Sequence, residues 1–358
     1  MSRKTVIVGM SGGVDSAVAA VLMKEAGHDV IGVTLVLWKD EAEEEKRWQD
    51  RSCCKVGLAR HVAKMLEIPH VTVDAQSQFQ SEIIDDFCDT YLVGQTPNPC
   101  VRCNALIKFE QLLSVAKEHG ADFIATGHYA KITHQETGGY SLSTGLDEKK
   151  DQSYFLYRLT QDQLARTAFP LGGMNKESVY KKALSLGLPY EEILESQEIC
   201  FVNQKNYGEF LTENRPESVI PGNIVTESGD VVGTHKGVAF HTVGQRRGLN
   251  VAMGERVYVT RLDVVKNEVV LGDPEQLLQR ELAADRVIWG GWGVPSFPVS
   301  VEAKIRYRST PKLATLIEAD AETFRIVFDE PERGVSPGQS VVLYQGNTVI
   351  GGGVIRPK

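Results

Sequence analysis

Residues 6–20 read VIVGMSGGVDSAVAA. A β-branched run enters a turn holding Gly9, Gly12 and Gly13, and an alanine-rich helical pattern leaves it. Strand, glycine turn and helix together cradle phosphate, because main-chain N–H groups and a helix N-terminus both favour anionic oxygens. The turn lacks the lysine that closes a G-x-x-x-x-G-K-[ST] loop; Asp15 and Ser16 stand there instead. Taken alone, such a turn fits either a bound phosphate-like anion or a purely structural bend.

Outward from this stretch, strand-like and helical patterns alternate over roughly the first 135 residues. The runs TVIVGM, DVIGVTLVLW, HVTVDA and ADFIATGHYAKI read as strands. AVAAVLMKEAG, VGLARHVAKMLE, SEIIDDFCDTYLVG and FEQLLSVAKEHG read as helices, with Gly27 and Gly120 as stops. The alternation predicts an α/β fold: a parallel sheet with helices on both faces, binding its ligand at the carboxyl ends of the strands. The 9–16 loop, Leu35 and Gly127 fall at those ends. NKESVYKKALSLGLP (175–189) reads as a lone amphipathic helix, and the pattern then turns to strands with glycine turns. RVYVTRLDVVKNEVVLGD reads as a hairpin around Lys266-Asn267, and five evenly spaced strands near the end predict a small closed β-barrel. The expected domains are 1–165, completed by about 195–212, a mixed α/β part at 166–280, and a C-terminal barrel at 281–358.

The net charge is −8, which disfavours a broadly basic nucleic-acid surface but leaves room for a local patch. Many acids concentrate in KDEAEEEKRWQD (39–50), which reads as a solvated run. No apolar stretch reaches 18 residues, so no membrane span is expected. The strand pattern starting at Thr5 leaves no room for a signal or transit peptide, which predicts a cytoplasmic protein. Of six cysteines, Cys53, Cys54 and Cys88 read as inert core thiols. Cys100 and Cys103 are spaced C-x-x-C beside prolines and just before a helical pattern, where the dipole favours thiolate. Half of a zinc site or a redox pair would share that spacing, although HKGVAFH (235–241) is too loose a second half. Cys200, in the run ESQEICFV, reads by itself as a core cysteine in a strand.

The string SGGVDS resembles the nucleotide loop of the ATP pyrophosphatases, which cleave ATP between the α and β phosphates and adenylate an acceptor oxygen. Added to it, TPNPCVRCNALIKF (96–109), ATGHYA (125–130), KDQSYFLY (150–157), SQEICF (196–201) and HTVGQRRGL (241–249) resemble the tRNA-specific 2-thiouridylase family over essentially the whole chain. The resemblance implies that ATP, with Mg²⁺, adenylates the C2 oxygen of a tRNA wobble uridine. A persulfide sulfur, received from a cysteine desulfurase or a sulfur-relay protein, then displaces AMP. It casts Cys200 as the persulfide carrier and Cys103 as the thiol that attacks it, releasing the sulfur or closing a disulfide to Cys200. Gly9, Met10, Ser11, Gly12, Gly13, Val14, Asp15 and Ser16, with Leu35 and Gly127, are the implied ATP contacts. Asn98, Pro99 and Cys100 are implied to touch the target base. Lys150, Asp151, Gln152, Arg306 and Tyr307 are implied to touch the anticodon stem-loop, with the uridine flipped into the pocket. His128 and Gln339 match positions important for activity.

Two departures from the common pattern are mild: Ala17 replaces a serine, and Leu35 a methionine. Cys100 is more consequential, because some members carry Asp there while others carry Cys, as here. Three thiols, Cys100, Cys103 and Cys200, also suit a [4Fe–4S] cluster with one open iron, so two sulfur routes stay open. Two further readings remain: another ATP pyrophosphatase adenylating a small metabolite, and an RNA-binding protein with a degenerate ATP site.

Overall fold

The computed structural model describes residues 3–38, 55–136, 138–187, 199–202, 207–254, 256–291 and 293–358. Cys53, Cys54, the acidic run 39–50 and residues 195–198 of ESQEICFV lie outside them. The chain divides into two compact units, one of residues 1–83, 100–203 and 347–349, the other of 84–99, 204–346 and 350–358.

In the first unit, β1 (Thr5–Gly9) is the centre of the sheet. Val6, Ile7 and Val8 are fully buried, the two-sided burial that a strand covered on both faces requires. Beside it run β2 (Asp29–Val36), β3 (His70–Asp74), β4 (Phe123–Ala125) and, further along the chain, the two-residue strand Thr167–Ala168. The order is β3-β2-β1-β4 with Thr167–Ala168 outermost, all parallel. The chain winds from β1 toward β3 and returns to the other side of β1 at β4, so a crevice opens between the carboxyl ends of β1 and β4. Helix α1 (Val14–Glu25) crosses over β1, burying Val14, Ala17, Val18, Ala19 and Ala20 with Val62 and Ala63 of α2 (Val56–Met65). Helix Lys176–Ser185 packs on the same core through Val179 and Ala183. It therefore belongs with the nucleotide-type sheet, whereas its change of texture had placed it in the middle part. The expected strand ADFIATGHYAKI is interrupted: β4 stops at Ala125, and β5 (Ala130–His134) resumes after a loop to pair with β6 (Tyr140–Thr144).

The second unit holds a four-stranded sheet and a barrel. The expected hairpin forms as Tyr258–Asp263 with Glu268–Gly272, Asn267 taking the left-handed conformation, and a second joins Gly222–Thr226 to Val231–His235. Ile224, Leu249, Val259, Val269 and Leu271 make their core. The barrel has six strands, in order Leu278–Trp289, Phe324–Arg333, Lys312–Ala319, Val299–Lys304, Ser340–Gln345 and Thr348–Ile355, the last closing on the first. The sequence reading expected five of them. The sixth, LQRELAADRVIW, is rich in Leu, Ala, Arg and Glu, and its β pattern is broken by a bulge between Gln279 and Glu281.

His235 and His241 sit in this unit with ring centroids 5.5 Å apart. His235 Nε2 donates to the Asn267 carbonyl at 3.2 Å, while the buried Nδ1 atoms of both rings have no partner among the described residues. Burial lowers both pKa values, and His241, also facing His235, is pushed down to about 4. Both rings hold a proton less readily when folded than in the unfolded chain, where they protonate near pH ~6.5. Their contribution to stability is thus whole above that pH and falls away as pH drops below it, for His241 down to about 4. We expect acidification from pH ~7.5 to ~5 to cost about 2 kcal/mol through His241 alone. Thermal melts of wild type and His241→Asn over this range check it: the variant should show a flatter pH dependence.

Candidate functional site

The loop after β1 is stitched to its surroundings by main-chain bonds. Met10 N–H donates to Val33 O at 2.7 Å, and the Met10 carbonyl accepts from Thr34 Oγ1 at 2.6 Å. Ser16 Oγ donates to Gly13 O at 2.9 Å and accepts from Ser11 N at 3.2 Å, closing the loop onto the first turn of α1. Gly12 has φ +79°, and a Cβ there would stand 2.6 Å from the Lys55 carbonyl, so glycine is required twice over. Gly13 caps α1 without a side-chain bond to its N–H groups. The start of this 12-residue helix is thereby without a side-chain cap, at an end of the helix that favours anions. Gly127, following β4, lies against the same turn: a Cβ would come within 2.7 Å of the Asp15 carbonyl carbon. Leu35 is buried near the end of β2.

The loop's missing cation comes from far along the chain. Lys176 Nζ donates to both oxygens of Asp15 at 2.7 and 2.8 Å, and Tyr129 Oη donates to Oδ1 at 2.6 Å. The lysine side chain is only 11% exposed and lies 4.8 Å from the ring centroid of Tyr180. Sequence reading missed Lys176 and Tyr129. Nothing local marks Lys176 except its place just after Asn175, whose side chain caps its helix.

The two cysteine motifs approach one another through a shared neighbour. A helical run begins at Pro99, where a missing N–H costs nothing, so Cys100 and Cys103 both lie inside helix Pro99–Cys103 and not ahead of one. It passes through a π-helical turn, Asn104–Lys108, into helix Phe109–Glu118. Arg102 Nε donates to Glu82 O at 2.7 Å, and its Nη2 to the Glu82 carboxylate at 3.1 Å. Phe201 packs edge-on against Phe79, centroids 5.7 Å apart. Residues 79 and 82 are one helical turn apart, so the flanks of Cys103 and of Cys200 rest on one short helical stretch. Cys200 occupies a turn, Val202 N–H donating to Ile199 O, and not the strand its apolar neighbours suggested.

Cys88, Cys100, Cys103 and Cys200 are in the reduced form, so the implied Cys103–Cys200 disulfide is not formed in this state. Cys88 is fully buried, and desolvation pushes its thiol up to about 11, the inert behaviour expected of it. Among the described residues no three His, Cys, Asp or Glu side chains are placed to hold a metal ion. The structure thus lends no support to Cys100, Cys103 and Cys200 as the ligand set of a [4Fe–4S] cluster.

The remaining residues divide by role. His128 stacks on Phe109 and meets Phe169 edge-on, with Nδ1 2.7 Å from Thr126 Oγ1. Desolvation, and then the Lys108 charge, pushes its pKa down to about 3. Asp151 is buried and accepts from Gly145 N, Ser153 N and Ser153 Oγ, while Gln152 Oε1 accepts from Tyr129 N. Both side chains thus brace the loop that presents Lys150. In the second unit Gln339 Nε2 donates to Pro97 O at 2.8 Å and Thr96 O at 3.2 Å, and Asn98 Nδ2 reaches Ser340 Oγ at 3.5 Å. Gln339 thereby holds the Asn98–Pro99 segment. Arg306 is exposed, its guanidinium donating to the Gly334 carbonyl, and Lys304 lies over the Tyr307 ring.

Residues 4–204 match the family described as the tRNA methyl transferase HUP domain, 208–273 its PRC-barrel domain, and 279–355 the aminomethyltransferase β-barrel domain. The chain is 42% identical to the tRNA-specific 2-thiouridylase MnmA of Clostridium perfringens, over 99% of both chains. It is 46% identical to the protein of that name from Heliobacterium modesticaldum, over 99% of this chain and 92% of the relative. The chain belongs to the tRNA-specific 2-thiouridylase family. A solved 4-thiouridine synthetase bound to RNA and ATP shares 17% identity and a TM-score of 0.36, covering 60% of this chain and 51% of that one, too distant to carry an argument. For a member of the thiouridylase family, the ATP-type loop and the two cysteine segments are the parts from which a reaction must be built.

Proposed function

We propose that the protein is a tRNA uridine 2-sulfurtransferase using ATP as its Mg²⁺ complex, a persulfide sulfur and a tRNA with a wobble uridine. A carbonyl oxygen of uracil is a poor leaving group, and an adenylate is a good one. The amides of residues 9–16 and the N-terminus of α1 hold the pyrophosphate end of ATP, while the uridine C2 oxygen attacks the α-phosphorus and pyrophosphate departs. Cys200 carries the persulfide, delivered by a cysteine desulfurase or a relay protein. Its outer sulfur attacks C2 and expels AMP, leaving uridine joined to Cys200 through two sulfurs. The Cys103 thiolate then attacks Cys200 Sγ, forming the Cys103–Cys200 disulfide and leaving the outer sulfur on C2 as 2-thiouridine. An external dithiol reduces the disulfide before the next turnover.

The observation carrying this reading is that the flanks of Cys103 and Cys200 rest on the same helical stretch, in the unit that holds the SGGVDS loop. Asn98, Pro99 and Cys100 against the target base, and Lys150, Arg306 and Tyr307 against the anticodon stem-loop, complete the proposal, with the cytoplasm as its place of action. Pyrophosphate release in the presence of ATP should require tRNA. Release driven by a small metabolite without tRNA would instead support the other pyrophosphatase reading. Nucleoside mass spectrometry of tRNA from cells with and without the gene decides the product.

A further inference from the structure

The motif HTVGQRRGL has no role in the chemistry above, yet its loop is built with unusual care. Thr242 N–H donates to Gln245 Oε1, Gln245 N–H to Thr242 O, and Gln245 Nε2 to Arg247 O. Gly244 N–H donates to Val259 O, and Val259 N–H returns a bond to Gln245 O. Gly244 and Gly248 take φ +87° and +76°, and Leu249 anchors the far end in the core of the four-stranded sheet. At the apex of this fixed loop Arg246 and Arg247 are both exposed.

Neither arginine has a carboxylate partner among the described residues; Arg215, Arg261, Arg286 and Arg325 of the same unit do, while Arg280 and Arg306 end on main-chain carbonyls. In a chain with 47 acids against 39 basic residues, these two guanidinium groups are set side by side on one hydrogen-bonded loop with no acid to neutralise them. A third is close by. A side-chain carbon at Gly244 would lie 3.7 Å from the Arg306 guanidinium, and Ser336 Oγ donates to Val243 O, joining the loop to the barrel beside Arg306.

We infer that Arg246 and Arg247, beside Arg306, form a landing surface for successive phosphates of the tRNA backbone. The inference rests on the thiouridylase reading and extends it to residues for which that reading gives no role. Like charges side by side repel until an anion lies between them, and a pre-ordered loop loses little conformational entropy when it binds one. The loop carries no exposed large apolar side chain of the kind that fills the centre of a protein–protein interface.

Salt dependence tests this on the full-length protein. The probe is an unmodified tRNA transcript with a wobble uridine, titrated between about 50 and 300 mM salt. R246Q/R247Q should flatten the plot of log affinity against log salt by about 1.4 to 1.8, some 0.7–0.9 per lost phosphate contact. At about 0.1 M salt it should weaken binding roughly tenfold or more. R246K/R247K should keep the wild-type slope, and ATP affinity should be the same in all three proteins. A wild-type slope in R246Q/R247Q overturns the assignment while leaving the thiouridylase reading intact, and so does that slope combined with lost sulfur uptake from a persulfidated protein donor. Failure of the wild-type protein to bind tRNA removes both readings.

Discussion

Cys200→Ser should abolish 2-thiouridine formation, a loss of about 10³-fold or more, while tRNA-dependent pyrophosphate release continues. In the proposed reaction adenylation uses the loop at residues 9–16 and does not need sulfur, so the two halves of the reaction separate in this variant. Cys103→Ser should lose turnover as completely but stall one step later. Persulfide sulfur can still reach C2, and without the second thiol the uridine stays joined to Cys200 through two sulfurs. The variant should therefore accumulate a protein–tRNA adduct that a dithiol releases, visible as a shifted band in denaturing gels, which Cys200→Ser cannot form. Normal thiolation by either variant removes that residue from its assigned step. Cys88→Ser serves as the control, since its buried thiol is held in the protonated form. Its activity should stay within a factor of two or so of wild type, as small buried substitutions of similar volume mostly perturb stability.

The parallel sheet was legible because its central strands β1 and β2 are largely buried on both faces, and such strands announce themselves as short β-branched runs between glycine stops. Val6–Val8 and Gly27 are of this kind. Where strands share their pattern with other elements the reading slipped. Leu278–Trp289 is exposed along much of one face and carries helix-favouring residues, so only its pairing in the barrel makes it a strand. Ile199–Val202 is apolar because Phe201 must reach Phe79, and a turn delivers that contact as well as a strand would. Among the candidate residues, Gly12 and Gly127 were visible as glycines at the carboxyl ends of strands, and the close backbone approaches that require them appear only in the fold. Lys176 was not visible, because its partner Asp15 lies 161 residues away and one lysine after an Asn cap carries no mark of its target. Residues at the site that act through tertiary pairing are the ones a single sequence conceals.

The Asp15–Lys176 pair gives the second large effect. A loop that must receive a polyanionic phosphate chain carries a carboxylate at its edge, and the lysine cancels that charge through two hydrogen bonds while Tyr129 holds one oxygen. Replacing Lys176 by Met leaves a net negative charge facing the incoming phosphates. At roughly 6 Å, with an effective dielectric constant between about 20 and 40, the repulsion is about 1.4 to 3 kcal/mol per phosphate charge. Asp15 is a third exposed, so solvent screening favours the lower end. We therefore expect kcat/KM for ATP to fall between about 10- and 100-fold in Lys176→Met, mainly through KM, with tRNA affinity unchanged. Lys176→Arg keeps the charge and should retain most of the activity. If Lys176→Met instead lowers the melting temperature and leaves the KM for ATP alone, the pair only fastens helix Lys176–Ser185 to α1. The geometry argues against so limited a role: a lysine serving only to fasten two helices could end on any exposed acid. This one is nine-tenths buried on the carboxylate that follows the glycine turn, which is where a cation decides how much negative charge the turn can accept.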